Sequence, residues 1–165
     1  MIQKKICLLG ASSVGKTSLV KQFVEGIFNE KYLTTIGVKI DKKVVTLENN
    51  SIQFMLWDIE GNDRYNAFQE RYLRGASAYI IVADQTRTTS LIEGLEIHSL
   101  ARKVSKCPAI LAINKSDLQP SWHWEDKGLE DYKDLFDLHF YTSAKTGANV
   151  ENMFIELAKL LQENS

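Results

Sequence analysis

The chain opens on a short unbroken apolar run, Ile6 to Leu9, of the kind found in strands buried on both faces. From Lys16 the apolar positions change to helical spacing, Leu19, Val20, Phe23 and Val24, and Gly26 supplies a stop. Beyond a polar stretch from Asn29 to Thr35, Val38, Ile40 and Val44 share one face of a strand. Ile52, Phe54 and Leu56 share one face of the next, and Glu48 to Ser51 between them carries turn chemistry, which predicts an antiparallel hairpin. Ala78 to Ala83 and Ala109 to Ile113 read as two more buried strands. Between them Ile97, Leu100, Ala101 and Val104 mark a helix ended by Pro108. His139 to Tyr141 is a short last strand. Val150, Met153, Phe154, Leu157, Ala158 and Leu161 then line one face of a final helix behind Asn149 as N-cap.

Strands alternating with helices predict an α/β fold with a mostly parallel sheet. The expectation is one domain over residues 1–165, with six strands, one of them antiparallel, and about five helices. No repeat, low-complexity tract or linker interrupts it. The 165 residues suffice for a single core. A net charge of −1 argues against a general attraction to nucleic acid or anionic lipid. No apolar run reaches bilayer-spanning length, and the start shows no signal-peptide pattern. Cys7 and Cys107 lie in apolar segments without metal-like spacing and read as free thiols, and His98, His123 and His139 are scattered. These features point to a reducing, cytoplasmic setting.

Residues 10–17 read Gly-Ala-Ser-Ser-Val-Gly-Lys-Thr, the phosphate-loop pattern G-x-x-x-x-G-K-[ST], between a buried strand and a helix. Glycines let the backbone curl so that successive N–H groups point at phosphate oxygens, and the helix N-terminus adds partial positive charge. Lys16 brings a full charge to β- and γ-phosphates, and the Thr17 hydroxyl is a Mg²⁺ ligand. Asn114-Lys115-Ser116-Asp117 ends a buried strand, where a ligand sits outside the sheet's carboxyl edge. A carboxylate at Asp117 accepts two hydrogen bonds from guanine N1–H and the exocyclic amine, a donor pair that adenine lacks. Asn114 can bond the N7 edge of the base while tying loops together, and the Lys115 stem can cover the ring face.

In order, the phosphate loop, Thr35, Asp58 with Gly61, Asn114 to Asp117, and Thr142 to Lys145 resemble the Ras superfamily of small GTPases, over essentially the whole chain. Tyr32 to Val38, Trp57-Asp58 and Arg71 to Ala76 look more like its Rab branch. The resemblance implies a three-layer P-loop NTPase fold and a switch that binds GTP or GDP with Mg²⁺ and hydrolyses GTP. It implies a nucleotide-binding set of Gly10, Ser13, Val14, Gly15, Lys16, Thr17 and Ser18 at the phosphates. Thr35 would bind Mg²⁺ and, through its N–H, the γ-phosphate, which the Gly61 N–H would also bond. Asp58 would join Thr17 and Thr35 at the metal. Phe28 would lie against guanine, with ordinary core packing as its alternative, and Ser143, Ala144 and Lys145 would complete the base pocket, the Ala144 N–H at O6. Segments 29–38 and 59–72 would be the switches, where effectors, exchange factors and GAPs bind.

The second of these segments departs from the family's usual W-D-T-A-G-Q-E. Asn62 stands for the water-positioning glutamine, with the same amide on a stem shorter by about 1.5 Å. Lys16, Thr35, Gly61 and Asn62 are therefore the expected catalytic set, with slow hydrolysis. Glu60 replaces a small residue near the γ-phosphate; it turns to solvent, approaches Mg²⁺ or biases the switch towards a GDP-bound shape, and sequence leaves these open. Trp122 and Trp124 face one way in an extended reading, for core packing or for a partner. The chain ends at Ser165 without a prenylation cysteine, so membrane association is expected only if a lipidated tail is missing. The alternative function is a guanine-nucleotide-binding interaction module with negligible hydrolysis, such as a Roc-like domain of a larger protein.

Overall fold

A computed structural model describes residues 1–29, 37–59, 70–122 and 130–163. They form one sheet with helices on both faces. In chain order the elements are β1 (Ile2–Gly10), α1 (Lys16–Glu25), β2 (Val38–Thr46), β3 (Ser51–Ile59), β4 (Ala78–Asp84), α2 (Thr88–Val104), β5 (Ala109–Asn114), β6 (Leu138–Tyr141) and α3 (Val150–Glu163). Two 3-10 helices, Glu70–Leu73 and Glu130–Leu135, lie between them. The strand order is β2-β3-β1-β4-β5-β6, with only the β2–β3 pair antiparallel. The expected sheet is thus present. Of about five helices, the described residues hold three α-helices and these two 3-10 helices, each too short to show a helical period in the sequence.

The strands are buried on both sides because alternate residues feed two cores. Ile6 and Leu8 of β1, Ile80 and Val82 of β4 and Ile110 and Ala112 of β5 face α1 and α3. Cys7 and Leu9, Tyr79 and Ile81, and Leu111 and Ile113 face α2. The first core centres on Phe154, fully buried and stacked on Phe23 with ring centres 4.0 Å apart. Helix α3 buries the six apolar residues expected of it, and the side-chain amide of Asn149 ties its start to the Tyr141 carbonyl. In α2 the expectation fails in part. Ile97 and Ala101 are buried as expected, but Leu100 and Val104 are exposed, and Leu91, Gly94 and His98 complete the buried face. Close approach sets that face, since a Cβ on Gly94 would stand 2.9 Å from Ile81 Cγ2. No helix among the described residues is long and apolar enough to cross a membrane.

His98 is the polar strut of the second core. Its Nε2 lies 3.1 Å from the Leu135 carbonyl, which can only accept, so Nε2 carries the proton and Nδ1 accepts from the Tyr79 hydroxyl at 2.9 Å. The ring stacks on Phe136 at 4.3 Å. Burial and then the nearby Arg102 guanidinium hold the imidazole below its ordinary value of 6.5, against the Leu135 carbonyl and Asp137, which favour the charged form. A folded-state pKa below the unfolded one contributes stability that is present above about pH 6.5 and lost as pH falls through the folded value. Chemical denaturation between pH 7.5 and 5 should therefore show stability falling through this window, with the slope reduced in His98→Gln. Equal slopes in the two proteins would refute the assignment.

Candidate functional site

The parallel strands end together on one edge, and β1 lies where the chain crosses from β3 on one side to β4 on the other. The crevice at such a reversal receives ligands in open α/β sheets. Gly10, Asp84 and Asn114 end β1, β4 and β5 there, and Asp58 lies one residue before the end of β3.

Between β1 and α1 the loop winds through left-handed backbone at Ser13 (φ 65°) and Gly15 (φ 100°), the kind of turn that makes a concave nest of N–H groups. Two glycines are required by contact. At Gly10 (φ 147°) a Cβ would stand 2.5 Å from the Val82 carbonyl oxygen, and at Gly15 it would stand 2.3 Å from Asn114 Nδ2. Leu19 N–H is bonded to the Gly15 carbonyl at 2.8 Å, so the N–H groups of Lys16, Thr17 and Ser18 precede that first turn of α1 and face its dipole-positive end. Lys16 is 6% exposed; its ammonium donates to the carbonyls of Gly10 and Ala11 at 3.1 and 2.9 Å. Burial pushes its pKa down to about 8, against the pull of Asp58 and with a smaller push from Arg87.

Thr17 Oγ1 donates to Asp58 Oδ2 at 2.6 Å, and Asp58 is 1% exposed. These residues, assigned to the metal from separate parts of the sequence, thus meet at one point. A hydroxyl and a buried carboxylate are hard oxygen donors that fit Mg²⁺.

The end of β5 is equally connected. Asn114, buried, donates through Nδ2 to the Val14 carbonyl at 2.9 Å, and its Oδ1 accepts from Thr142 Oγ1 at 3.2 Å and Ala144 N–H at 3.3 Å. Buried Ser143 donates its hydroxyl to Asp117 Oδ1 at 2.7 Å, which fixes one oxygen of an exposed carboxylate. Gln22 of α1 donates to the Ala144 carbonyl at 2.7 Å. Lys115, at φ 64°, reaches the Ser13 carbonyl at 3.0 Å and Asp84 Oδ2 at 2.9 Å. Lys145 is exposed on the same loop, and Phe28 is half-buried against the first core.

Fourteen expected site residues therefore lie along this one edge, from Gly10 to Ser18, at Asp58, and from Asn114 to Lys145, with Phe28 beside the first core. Thr35, Glu60, Gly61 and Asn62, most of the two proposed switches, and Trp124 lie outside the described residues. Trp122 packs in the second core at 2% exposure, and its indole N–H donates to the Asp84 carbonyl at 3.2 Å. Cys7 and Cys107 are free thiols, the former buried and pushed up to about 12 by that burial.

The sequence reading missed Asp84 and Arg87. Asp84 is 1% exposed and accepts from Lys115, Arg87 and the N–H and hydroxyl of Thr86. Burial alone would raise its pKa, but the bonds from Thr86 and Lys115 outweigh it and hold the carboxyl below its usual range. An aspartate ending an otherwise apolar strand was the available signal.

The family model described as Ras family matches residues 5–163. The Ras-related protein RabJ of Dictyostelium discoideum is 33% identical over 163 residues, which cover 97% of this chain and 64% of that protein. The chain thus spans less than two thirds of that relative's length.

A Cβ at Gly10, fixed by its own backbone, would meet a backbone oxygen, and turning a side chain cannot relieve it. Gly10→Ala should lower the unfolding free energy by about 2–4 kcal/mol in urea titrations. A loss under about 0.5 kcal/mol would mean that β1 and β4 part readily at this point.

Proposed function

This chain belongs to the Ras family, and we propose that it is a guanine-nucleotide switch, holding GTP or GDP with Mg²⁺ and hydrolysing GTP slowly. One observation carries the reading: a nest of backbone N–H groups with Lys16 lies directly beside a base-reading end, the two joined by the Asn114 side chain. The nest suits a polyphosphate, and the Asp117 carboxylate, fixed by Ser143, suits the N1–H and amine of guanine. Likeness to a Rab-type protein along nearly the whole chain favours a switch over a Roc-like module.

In this reading Lys16 leaves the carbonyls of Gly10 and Ala11 for the β- and γ-phosphate oxygens and stabilises the charge that develops there. Thr17, Asp58 and Thr35 hold Mg²⁺, which when bound supplies Lewis-acid polarisation of the phosphate oxygens. The N–H groups of Thr35 and Gly61 bond the γ-phosphate, and Asn62 orients the attacking water. Its stem is shorter than glutamine's by about 1.5 Å, and a displacement of that order costs about a hundredfold in a positioning task. Intrinsic hydrolysis then lies below the rate of about 10⁻⁴ s⁻¹ known for Ras itself. A GAP restores speed by supplying groups of its own. Segments 29–38 and 59–72 carry the partner surfaces, in a cytoplasmic setting.

The test is single-turnover hydrolysis of protein loaded with GTP and Mg²⁺, beside Asn62→Gln. The variant should be on the order of tenfold faster or more. If both are inert while GTP stays bound, the chain is a binding module and Asn62 has no catalytic part. If ATP displaces bound GDP as well as GTP does, the guanine reading itself falls.

A further inference from the structure

Three successive carbonyls of the phosphate loop are each held from outside by a side chain of another segment. Arg87 Nη2 donates to the Ser12 carbonyl at 2.8 Å, Lys115 Nζ to that of Ser13 at 3.0 Å, and Asn114 Nδ2 to that of Val14 at 2.9 Å. In a planar trans peptide the C=O and the following N–H point in opposite directions. Each carbonyl held outward therefore turns one N–H inward, at Ser13, Val14 and Gly15 in turn.

Lys115 and Asn114 belong to the base-reading motif, whereas Arg87 belongs to no motif. It stands at the start of α2 and makes no capping bond there, so its side chain is not used to finish that helix. An exposed arginine ion pair is ordinarily worth little. This one differs because its Asp84 partner is buried and bonded at both carboxylate oxygens. Asp84 Oδ1 is taken by Thr86, its backbone N–H donates to Ser90 Oγ at 2.8 Å, and its carbonyl is held by Trp122. Oδ2 then takes Arg87 Nε at 3.1 Å and Lys115 Nζ at 2.9 Å. A guanidinium bound at Nε has its Nη2 direction fixed by its planar fork, which a lysine ammonium cannot reproduce.

We propose that Arg87 is a positioning residue for the phosphate loop: anchored on Asp84, it locks the Ser12–Ser13 peptide with the Ser13 N–H facing the phosphates, and so lengthens the residence of bound nucleotide. This rests on the guanine-nucleotide reading above. The guanidinium remains outside the loop and acts through the peptide. It is a different device from an arginine that enters the site to meet the transferred phosphoryl group.

The experiment is displacement of fluorescent GDP by excess GDP from the Mg²⁺-loaded full chain, with Arg87→Ala and Arg87→Lys. Arg87→Ala should speed release about tenfold with little change in the association rate, because a charged hydrogen bond that orders the bound loop is lost. Arg87→Lys should recover less than half of that loss on a logarithmic scale, since it keeps the charge and loses the fork. Hydrogen exchange on the same proteins should show the Ser13 amide losing protection while the amides of α2 keep theirs. Unchanged release from Arg87→Ala overturns the proposal, as does full rescue by lysine, which would reduce the effect to charge. Loss of protection throughout α2 overturns it too, by making the effect one of helix stability. A wild-type chain that binds no GDP defeats the guanine reading and this inference together; a wild-type chain that binds beside an unaltered variant defeats only the inference.

Discussion

The side-chain amide of Asn114 is the joint on which the arrangement depends. It lies at the end of β5 with 1% exposure, where every polar atom needs a partner, and each of its ends is spoken for. Its NH₂ holds the Val14 carbonyl of the phosphate loop, and its oxygen takes Thr142 and Ala144 of the loop after β6. Gly15 can pass only because it has no Cβ to meet the same NH₂. Two loops from opposite ends of the chain are thereby fixed against one strand end, and the distance between Val14 and Ala144 follows from one rigid group. A carboxylate at this place could not donate to Val14, and an apolar residue would leave three buried polar groups unmatched.

Local signals made much of this legible. The phosphate-loop glycines, the unbroken strands β4 and β5 and the period of α3 each depend on neighbours in sequence, so pattern alone finds them. What pattern could not supply depends on the strand order. That β4 stands between β1 and β5 places Asp84 beside Lys115 and lets Arg87 reach the phosphate loop; an aspartate ending an apolar strand marks a position but not its partners. Likewise the spacing of Ile97, Leu100, Ala101 and Val104 fits a helix but not the face it buries. The close passage of Gly94 over Ile81 decides that, and turns Leu100 and Val104 outward. In β2 the same limit applies: Val45, paired with Ile52, is the buried residue, and Ile40 and Val44 stand exposed on the other face.

Net charge hides the electrostatics that matter here. The whole chain carries −1, yet the phosphate loop is ringed by Lys16 on its inner carbonyls and by Arg87 and Lys115 on its outer ones. Asp84 and Asp58 answer them, which leaves, among the described residues, one cation in excess over two anions around a single turn of backbone. Burial already presses the Lys16 ammonium towards losing its proton, and the Arg87 cation adds to the pressure. An anion in the nest offsets both effects, by Coulomb attraction in a poorly hydrated place. The clamp that shapes the nest thus also charges it: the side chains that turn the carbonyls outward are cations, and their field falls on the same point as the N–H groups they orient. Geometry and charge reach the phosphate site through the same residues, so a neutral substitute at Arg87 or Lys115 loses both.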